Sequence, residues 1–314
     1  MVTKKEFGRI GVFMGGPSSE RAISLKSGKA VHKALEEAGV DAVAIDVVTD
    51  RLKDNIRLIK SKKIDCAFLA LHGRFGEDGS IQELLEVLKI PYTGSGVLAS
   101  RLAMDKISSR QIFALGGLSV PRYKILNNKS QVEIDFSFPV VVKPAGHGSS
   151  IGLSIVDKKS GLKKAVQEAF KFDERIIIEE YIHGREMTVG ILKECALPVV
   201  EIIPKKKFFD YEAKYRAGFT EYVVPAKITK EQSLKIQEAG ISAHRMLGCF
   251  GCSRADIILD DKNNPFVLEI NTIPGFTATS LLPKAAGERG IGFKELCLEL
   301  IALAYEKNRN SRLG

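Results

Sequence analysis

Residues 8–100 alternate short apolar runs with amphipathic runs of helical period, and this alternation constrains the fold more than any other feature. Residues 9–14 read as a strand, followed by the turn Gly15-Gly16-Pro17-Ser18-Ser19-Glu20 and a helix over about 19–38 closed by Gly39. A strand at 41–48, a basic helix over about 51–61 and an apolar strand at 65–71 come next. The polar loop 72–79, a helix to 89 and a short strand reaching Tyr92 and Thr93 complete the pattern. Strands joined by helices imply a parallel, doubly wound α/β sheet. Ligands bind such sheets at the C-terminal ends of the strands, so the loops 15–20 and 72–79 are candidate site walls.

Beyond about residue 105 the texture becomes α+β. A helix (105–116) and a turn at Pro121 precede a strand (138–143), a glycine-rich loop, a strand (151–156), a helix (about 160–171) and a strand (175–181). Further strands at 186–193 and 197–204, a charged loop (205–220), a helix (230–247), a hairpin and a terminal helix from about 293 follow. There is no internal repeat and no low-complexity segment.

The hairpin carries the densest chemistry. Residues 254–271 form two apolar runs joined by a turn rich in Asp, Asn and Pro. With the turn at 261–264, Leu259 faces Phe266, Ile257 faces Leu268 and Asp256 faces Glu269. Facing residues have Cβ atoms roughly 5 Å apart. Asn271 shares the face of Glu269, and Arg254 that of Asp256. Carboxylates that close repel each other unless a cation neutralises them, and hard oxygen donors suit Mg²⁺ completed by substrate phosphates. The residues alone also allow a solvated hairpin face with two unrelated acids.

Other segments likewise admit two readings. Residues 143–152, Lys-Pro-Ala-Gly-His-Gly-Ser-Ser-Ile-Gly, form either a mobile hairpin tip or a loop whose free N–H groups fold over phosphates, with Lys143 favouring an anion. The loop is not a Walker A loop, and Gly15-Gly16 lacks the third glycine of the dinucleotide fingerprint. The acids Glu179 and Glu180 either mark where a strand leaves the core or read the sugar or amino group of a planar base. The loop 205–220 is a solvated loop or a lid. After Asn271, the turn 272–280 offers N–H groups that, with Arg254, could meet a developing oxyanion. His72 and His147 lie in candidate site loops; His32, His183 and His244 read as structural or solvated.

Composition sets limits. The net charge of +9 permits anionic partners, but the basic residues are scattered, tryptophan is absent and no nucleic-acid-binding motif occurs, so no nucleic-acid partner is expected. No apolar run approaches a membrane span, so no membrane partner is expected either. Five dispersed cysteines suggest a reducing cytoplasm, and Cys249-Phe-Gly-Cys252 reads as two buried thiols rather than a metal or redox site.

Taken in order, the motifs GGPSSER (15–21), ALHGRFGEDG (70–79), PYTGSG (91–96), MDK (104–106), VVKPAGHGSSIG (141–152), DYEAKY (210–215), RADIILD (254–260) and LEINTIPGFTATSLLP (268–283) resemble the D-alanine–D-alanine ligase family of the ATP-grasp superfamily. The resemblance runs from about residue 8 to 303. It implies a Rossmann-like unit (1–103), a central ATP-grasp subdomain (104–183) and a C-terminal subdomain (184–314), with ATP between the last two. It implies the reaction ATP + 2 D-alanine → D-alanyl-D-alanine + ADP + phosphate for peptidoglycan precursor synthesis, in a cytoplasmic homodimer. By the same resemblance Lys106 and Lys143 hold the α- and β-phosphates, the loop 146–152 with Ser150 covers the γ-phosphate, and Lys214 reaches the transferred group. Glu179, Glu180, Ile182 and Glu186 line the adenosine site. Asp256, Glu269 and Asn271 hold two Mg²⁺ or Mn²⁺ ions. Glu20, Ser149 and Tyr215 form a cluster over the first D-alanine, Arg254 and the N–H of Gly275 form the oxyanion site, and Ser280, Leu281 and His72 contact substrate. Relatives using D-lactate or D-serine differ in the lid, and Glu-Ala-Lys-Tyr (212–215) matches the D-alanine type. The alternatives are a ligase of the same family using D-lactate or D-serine as second substrate and, from another class, a non-catalytic nucleotide-binding regulator on the same fold. Ile273 departs from relatives with a small polar residue there, which bears on loop packing.

Overall fold

The computed structural model describes residues 7–127, 132–148, 151–204 and 220–310. Strand β1 (Ile10–Gly15) is buried along its whole length and lies between two parallel neighbours. Helix α1 (Arg21–Glu37) connects it to β2 (Ala42–Val47), and α2 (Leu52–Lys62) leads on to β3 (Cys66–Leu69). Burial on both faces explains the unbroken apolar runs of β1 and β3, where an alternating pattern would leave one face in water. Gly15 and Gly16 both take positive φ (86° and 87°), and a Cβ on Gly15 would lie 2.3 Å from the Asp46 carboxylate. The turn out of β1 therefore requires glycine there. Tyr92 pairs with Ala67 as an isolated parallel bridge, the expected short strand reduced to one residue pair. Helix α3 (Ser80–Val87) precedes that bridge.

Helices α4 (Val97–Met104) and α5 (Lys106–Leu115) lead into a four-stranded antiparallel sheet. Its strands are β4 (Tyr123–Leu126), β5 (Val140–Pro144), β6 (Ser154–Val156) and β7 (Ile176–Glu180), in the order β4-β7-β5-β6, with α6 (Lys159–Ala169) packed on one face. The third sheet contains β8 (Gly184–Leu192), β9 (Cys195–Ala196), β10 (Val200–Pro204), β11 (Thr220–Val223), β12 (Cys252–Asp260) and β13 (Pro265–Asn271). Its order is β11-β10-β8-β12-β13, with β9 beside β8. Helix α7 (Lys230–Met246) covers it and opens on a capping box, Thr229 Oγ1 accepting from Gln232 N (3.2 Å) and Gln232 Oε1 from Thr229 N (2.8 Å). Helices α8 (Leu281–Glu288) and α9 (Phe293–Asn310) complete the fold.

The cores do not follow chain order. Leu296, Leu300, Ile301 and Ala304 of α9 share a cluster with Val31 and Leu35 of α1 and with Ile10 and Val12 of β1. Ala99 and Ala103 of α4 and Phe113 of α5 pack instead with Met187, Val189, Ile257 and Val267 of the third sheet. The elements α4, β4, β9, β11 and α8 were not expected from the sequence. Each spans eight residues or fewer, too short for a periodic signal to stand out.

The hairpin register needs one correction. Arg254 faces Asn271 and Asp256 faces Glu269 as expected, but Ile257 faces Val267 and Leu259 faces Pro265. A bulge between Asp256 and Ile257 absorbs one residue of β13. Asp260 sets this tighter turn: its Oδ1 accepts from Lys262 N (2.9 Å) and Asn264 N (2.7 Å), while Asn263 adopts φ 64°. The bulge re-aims β13, so that neighbouring Leu268 and Glu269 both line one cavity.

Candidate active site

A cavity of about 740 Å³ opens between the second and third sheets. Its apolar walls include Val141, Ile155, Met187, Ile202 and Ile257, and its polar wall holds Lys106, Lys143, Glu179, Asp256 and Glu269. A largely apolar cleft with a few convergent charges is the ordinary form of a small-ligand site.

Asp256 sits in the middle of this wall because β12 is an inner strand of its sheet. Its Oδ1 accepts from Thr188 Oγ1 of β8 (2.7 Å) and from Arg254 Nε (2.8 Å). Its Oδ2 accepts from Arg254 Nη2 (2.8 Å) and from Asn271 Nδ2 (3.1 Å). The hairpin thus brings Arg254, Asp256, Glu269 and Asn271 together, as the pairing requires. Among the described residues no group of three or more His, Cys, Asp or Glu gathers as a metal cluster, so the hard donors here are two carboxylates and one amide oxygen.

Lys106 begins α5, whose N-cap Asp105 accepts from Ile107 N (3.0 Å) and Ser108 N (2.9 Å) through Oδ1. Burial would raise the Asp105 carboxyl, but these amides and the paired Arg175 outweigh it and hold it below the usual carboxylate range. Lys106 Nζ donates to the carbonyl of His147 (2.6 Å) and lies 3.5 Å from Glu269 Oε2. It therefore touches both the glycine-rich loop and the hairpin.

Lys143 is the next-to-last residue of strand β5, and its Nζ lies 2.7 Å from Glu179 Oε2. Burial lowers the lysine's pKa, and Glu179 opposes that shift. Burial raises Glu179 in turn, but Arg110 and Lys143 overcome this and hold it low. Glu180 pairs with the more exposed Arg122 (3.1 Å), while Ile182 and Glu186 line the cavity further along.

Glu20 and His72 of the N-terminal unit, like Arg254, Asn271, Gly275, Ser280 and Leu281, are not part of the cavity lining. Glu20, the N-cap of α1, is only 8% exposed. Its Oε2 would lie 2.6 Å from a Cβ on Gly73 (φ 71°) and 3.7 Å from one on Gly148, so it stands between the loop 72–79 and the glycine-rich loop. His72 is buried, its Nε2 3.0 Å from Ser27 Oγ and its Nδ1 3.1 Å from the carbonyl of Ile273. Burial pushes the His72 imidazole below its ordinary value. Ser27 Oγ also accepts from Phe276 N (3.2 Å), so the two contacts bind the turn 272–280 to the first domain. Ile273 lies in the core beside Leu71 and Phe75, which accounts for an apolar residue at that position. Within the turn a Cβ on Gly275 would lie 3.3 Å from Ser280 Oγ, and that hydroxyl accepts from Thr277 N (3.0 Å). Leu281 follows as the half-buried first residue of α8.

Ser149, Ser150, Lys214 and Tyr215 lie outside the described residues. Sequence reasoning missed Glu77, Arg110 and Thr188. Glu77 Oε2 accepts from Gly73 N (2.6 Å), and burial first and Glu20 next push its carboxyl up to about 8. Arg110 could have been suspected from its spacing, since it lies four residues after Lys106 on the same face of α5. Cys249 and Cys252 are buried free thiols pushed up to about 12, chiefly by burial. No helix among the described residues is long and apolar enough to cross a membrane.

Comparison with known proteins agrees with this geometry. Residues 117–302 match the family described as D-ala D-ala ligase C-terminus, and residues 47–95 match D-ala D-ala ligase N-terminus. The chain is 50% identical over 302 residues to the D-alanine–D-alanine ligase of Geotalea uraniireducens, covering 95% of this chain and 96% of that one. It is 45% identical over 310 residues to that of Geobacter sulfurreducens, covering 98% and 97%. The fold superposes on the crystal structure of the Bacillus anthracis D-alanine–D-alanine ligase complexed with ATP, with a TM-score of 0.86, 34% identity and coverage of 97% and 99%. The VanG D-Ala:D-Ser ligase of Enterococcus faecalis matches with a TM-score of 0.82, 30% identity and coverage of 95% and 99%. The chain belongs to the D-alanine–D-alanine ligase family of the ATP-grasp superfamily.

Proposed function

We propose that the chain joins two D-alanines to D-alanyl-D-alanine while converting ATP to ADP and phosphate. The observation that carries this reading is the meeting of Lys106 and Lys143 with Asp256 and Glu269 on one wall of a nucleotide-sized cavity. The near full-length likeness to D-alanine–D-alanine ligases supports the choice of substrate. The division into units 1–103, 104–183 and 184–314, a homodimeric state and a cytoplasmic location belong to the same proposal.

In this reading Lys106 and Lys143 hold the α- and β-phosphates, and the loop 146–152 with Ser150 covers the γ-phosphate. The adenine lies in the apolar slot near Ile182, with Glu180 and Glu186 beside the adenosine; Glu179, expected there too, is buried and paired with Arg110 and Lys143, so it acts on the nucleotide through Lys143. Asp256, Glu269 and the amide oxygen of Asn271 are hard donors fitted to Mg²⁺ or Mn²⁺, and two such ions would offset the charge of the transferring phosphoryl group. The first D-alanine carboxylate attacks the γ-phosphate, giving an acyl phosphate and ADP, with Lys214 on the moving group. The free amine of the second D-alanine attacks the acyl carbon, phosphate leaves, and the nitrogen loses a proton. Arg254 and the Gly275 N–H stabilise the oxyanion of that step. Glu20, with Ser149 and Tyr215, orients the first D-alanine, and Ser280, Leu281 and His72 border the second. Water would hydrolyse the acyl phosphate, which gives the loop 205–220, whose residues 205–219 lie outside the described residues, a purpose as a lid.

The test is phosphate release by the purified protein with Mg-ATP on addition of D-alanine; no release would sink the proposal. The likeness to a D-Ala:D-Ser ligase favours one second reading, in which D-serine is the second substrate. The product mass from mixed D-alanine and D-serine separates the two.

A further inference from the structure

Arg110 is one of the largest fully buried side chains of the protein, at 1% exposure, and it is not part of the cavity lining. Its Nε and Nη2 both donate to Glu179 Oε1 (3.0 and 2.5 Å), and its Nη1 donates to the carbonyl of Val267 (2.5 Å). The other oxygen of the same carboxylate receives Lys143 Nζ at 2.7 Å. Val267 lies two residues before Glu269 on β13, and its N–H donates to the carbonyl of Ser119 (2.9 Å). One guanidinium therefore links the elements that carry three cavity charges. It shares a helix with Lys106, reaches Lys143 through Glu179 and reaches Glu269 through the β13 backbone.

The charge balance gives this arrangement a use. A carboxylate buried with one lysine would form a closed, neutral pair, and Lys143 would have little attraction left for an anion. With Arg110 on the other oxygen, Arg110, Glu179 and Lys143 carry a net charge of +1, and the side chain facing the cavity is Lys143. We propose that Arg110 is a positioning residue for nucleotide binding, which holds Glu179 so that Lys143 presents its positive charge to a nucleotide phosphate. The inference rests on the reading of Lys143 as a phosphate ligand.

The experiment is calorimetric titration of the full chain with Mg-ADP, together with KM for ATP and for D-alanine. Each variant is first checked for folding by circular dichroism. Lys143→Ala tests the underlying reading: Mg-ADP binding unchanged from wild type removes Lys143 from the phosphate site. Given a loss with Lys143→Ala, Arg110→Met is expected to weaken Mg-ADP binding and raise KM for ATP by about tenfold or more, with KM for D-alanine little changed. Arg110→Lys keeps the charge but loses the fork, so it is expected to weaken Mg-ADP binding and raise KM for ATP severalfold, less than Arg110→Met does, with KM for D-alanine little changed. An Arg110→Met protein that is folded and binds Mg-ADP normally, or that raises both KM values together, overturns the proposal. Should Arg110→Met not fold, Arg110→Lys decides, and a folded Arg110→Lys protein with wild-type Mg-ADP affinity and KM for ATP overturns it.

Discussion

Two charged clusters face the same cavity and are built differently. Around Glu179, Arg110 and Lys143 fill both carboxylate oxygens at side-chain exposures of 1% for Arg110, 3% for Glu179 and 10% for Lys143. Around Asp256, with Glu269 opposite it on β13, the partners Arg254, Asn271 and Thr188 surround a carboxylate that is 17% exposed, with Arg254 at 19%. Water reaches the second cluster and is nearly excluded from the first. A sealed network cannot exchange partners without leaving a charge unpaired in a low-dielectric interior. An accessible one can hand its oxygens to an incoming cation. The sealed cluster suits a fixed wall, and the open one suits a site whose ligands change during a reaction.

Breaking the sealed cluster should have the largest effect on folding. Arg110→Met leaves Glu179 half paired and is expected to destabilise the protein by roughly 3–5 kcal/mol, seen as a lowered Tm. An unchanged Tm would remove the distinction between the clusters. Glu269→Gln should leave the Tm nearly unaltered while lowering phosphate release with D-alanine by about a hundredfold, equivalent to roughly 3 kcal/mol. Equal losses of stability and activity would mean that the open cluster is structural as well.

A third test uses Glu77, whose carboxyl is pushed from the ordinary 4.5 up to about 8. Its folded state holds the proton more tightly than the unfolded chain does. The stabilisation is therefore complete below about pH 4.5 and declines as pH rises towards about 8. Glu77→Gln should flatten the fall of Tm across that window, and an identical Tm-against-pH slope in both proteins rules out the titration. The smallest effect belongs to the Arg245–Glu194 pair at 2.6 Å, in which both side chains are 61% exposed. Glu194→Gln should give no measurable change in Tm or rate, because solvent screens such a pair.

The parts of the site that could be read from sequence share a local logic. Asp256 opposite Glu269 followed from strand period and turn position, and that pairing survives although the outer half of the hairpin shifts by one residue. The shift itself was hidden because the side chain of Asp260 chooses the turn, and several turns fit the same residues. Lys106 and Lys143 could be placed at element ends, but their partners could not. The residues around Glu179 allowed either an acid leaving the core or one reading a base; its pairing with Arg110, 69 residues away in the chain, was not legible. Glu77 gave no individual signal because its perturbation comes first from burial and next from Glu20, and both arise only once the chain has folded. The segments around Ser149 and Lys214 lie outside the described residues.

By itself the sequence determined the periodic elements, the parallel order of the first sheet and the family motifs, because residues near in the chain act through short, regular spacings. Tertiary structure alone decided which charges meet, since burial and pairing depend on elements distant in sequence. It placed α9 against β1, tied His72 to Ile273 and set Arg110 behind Glu179. The free energy of a buried charge depends on neighbours within a few ångströms, and no local pattern specifies those neighbours.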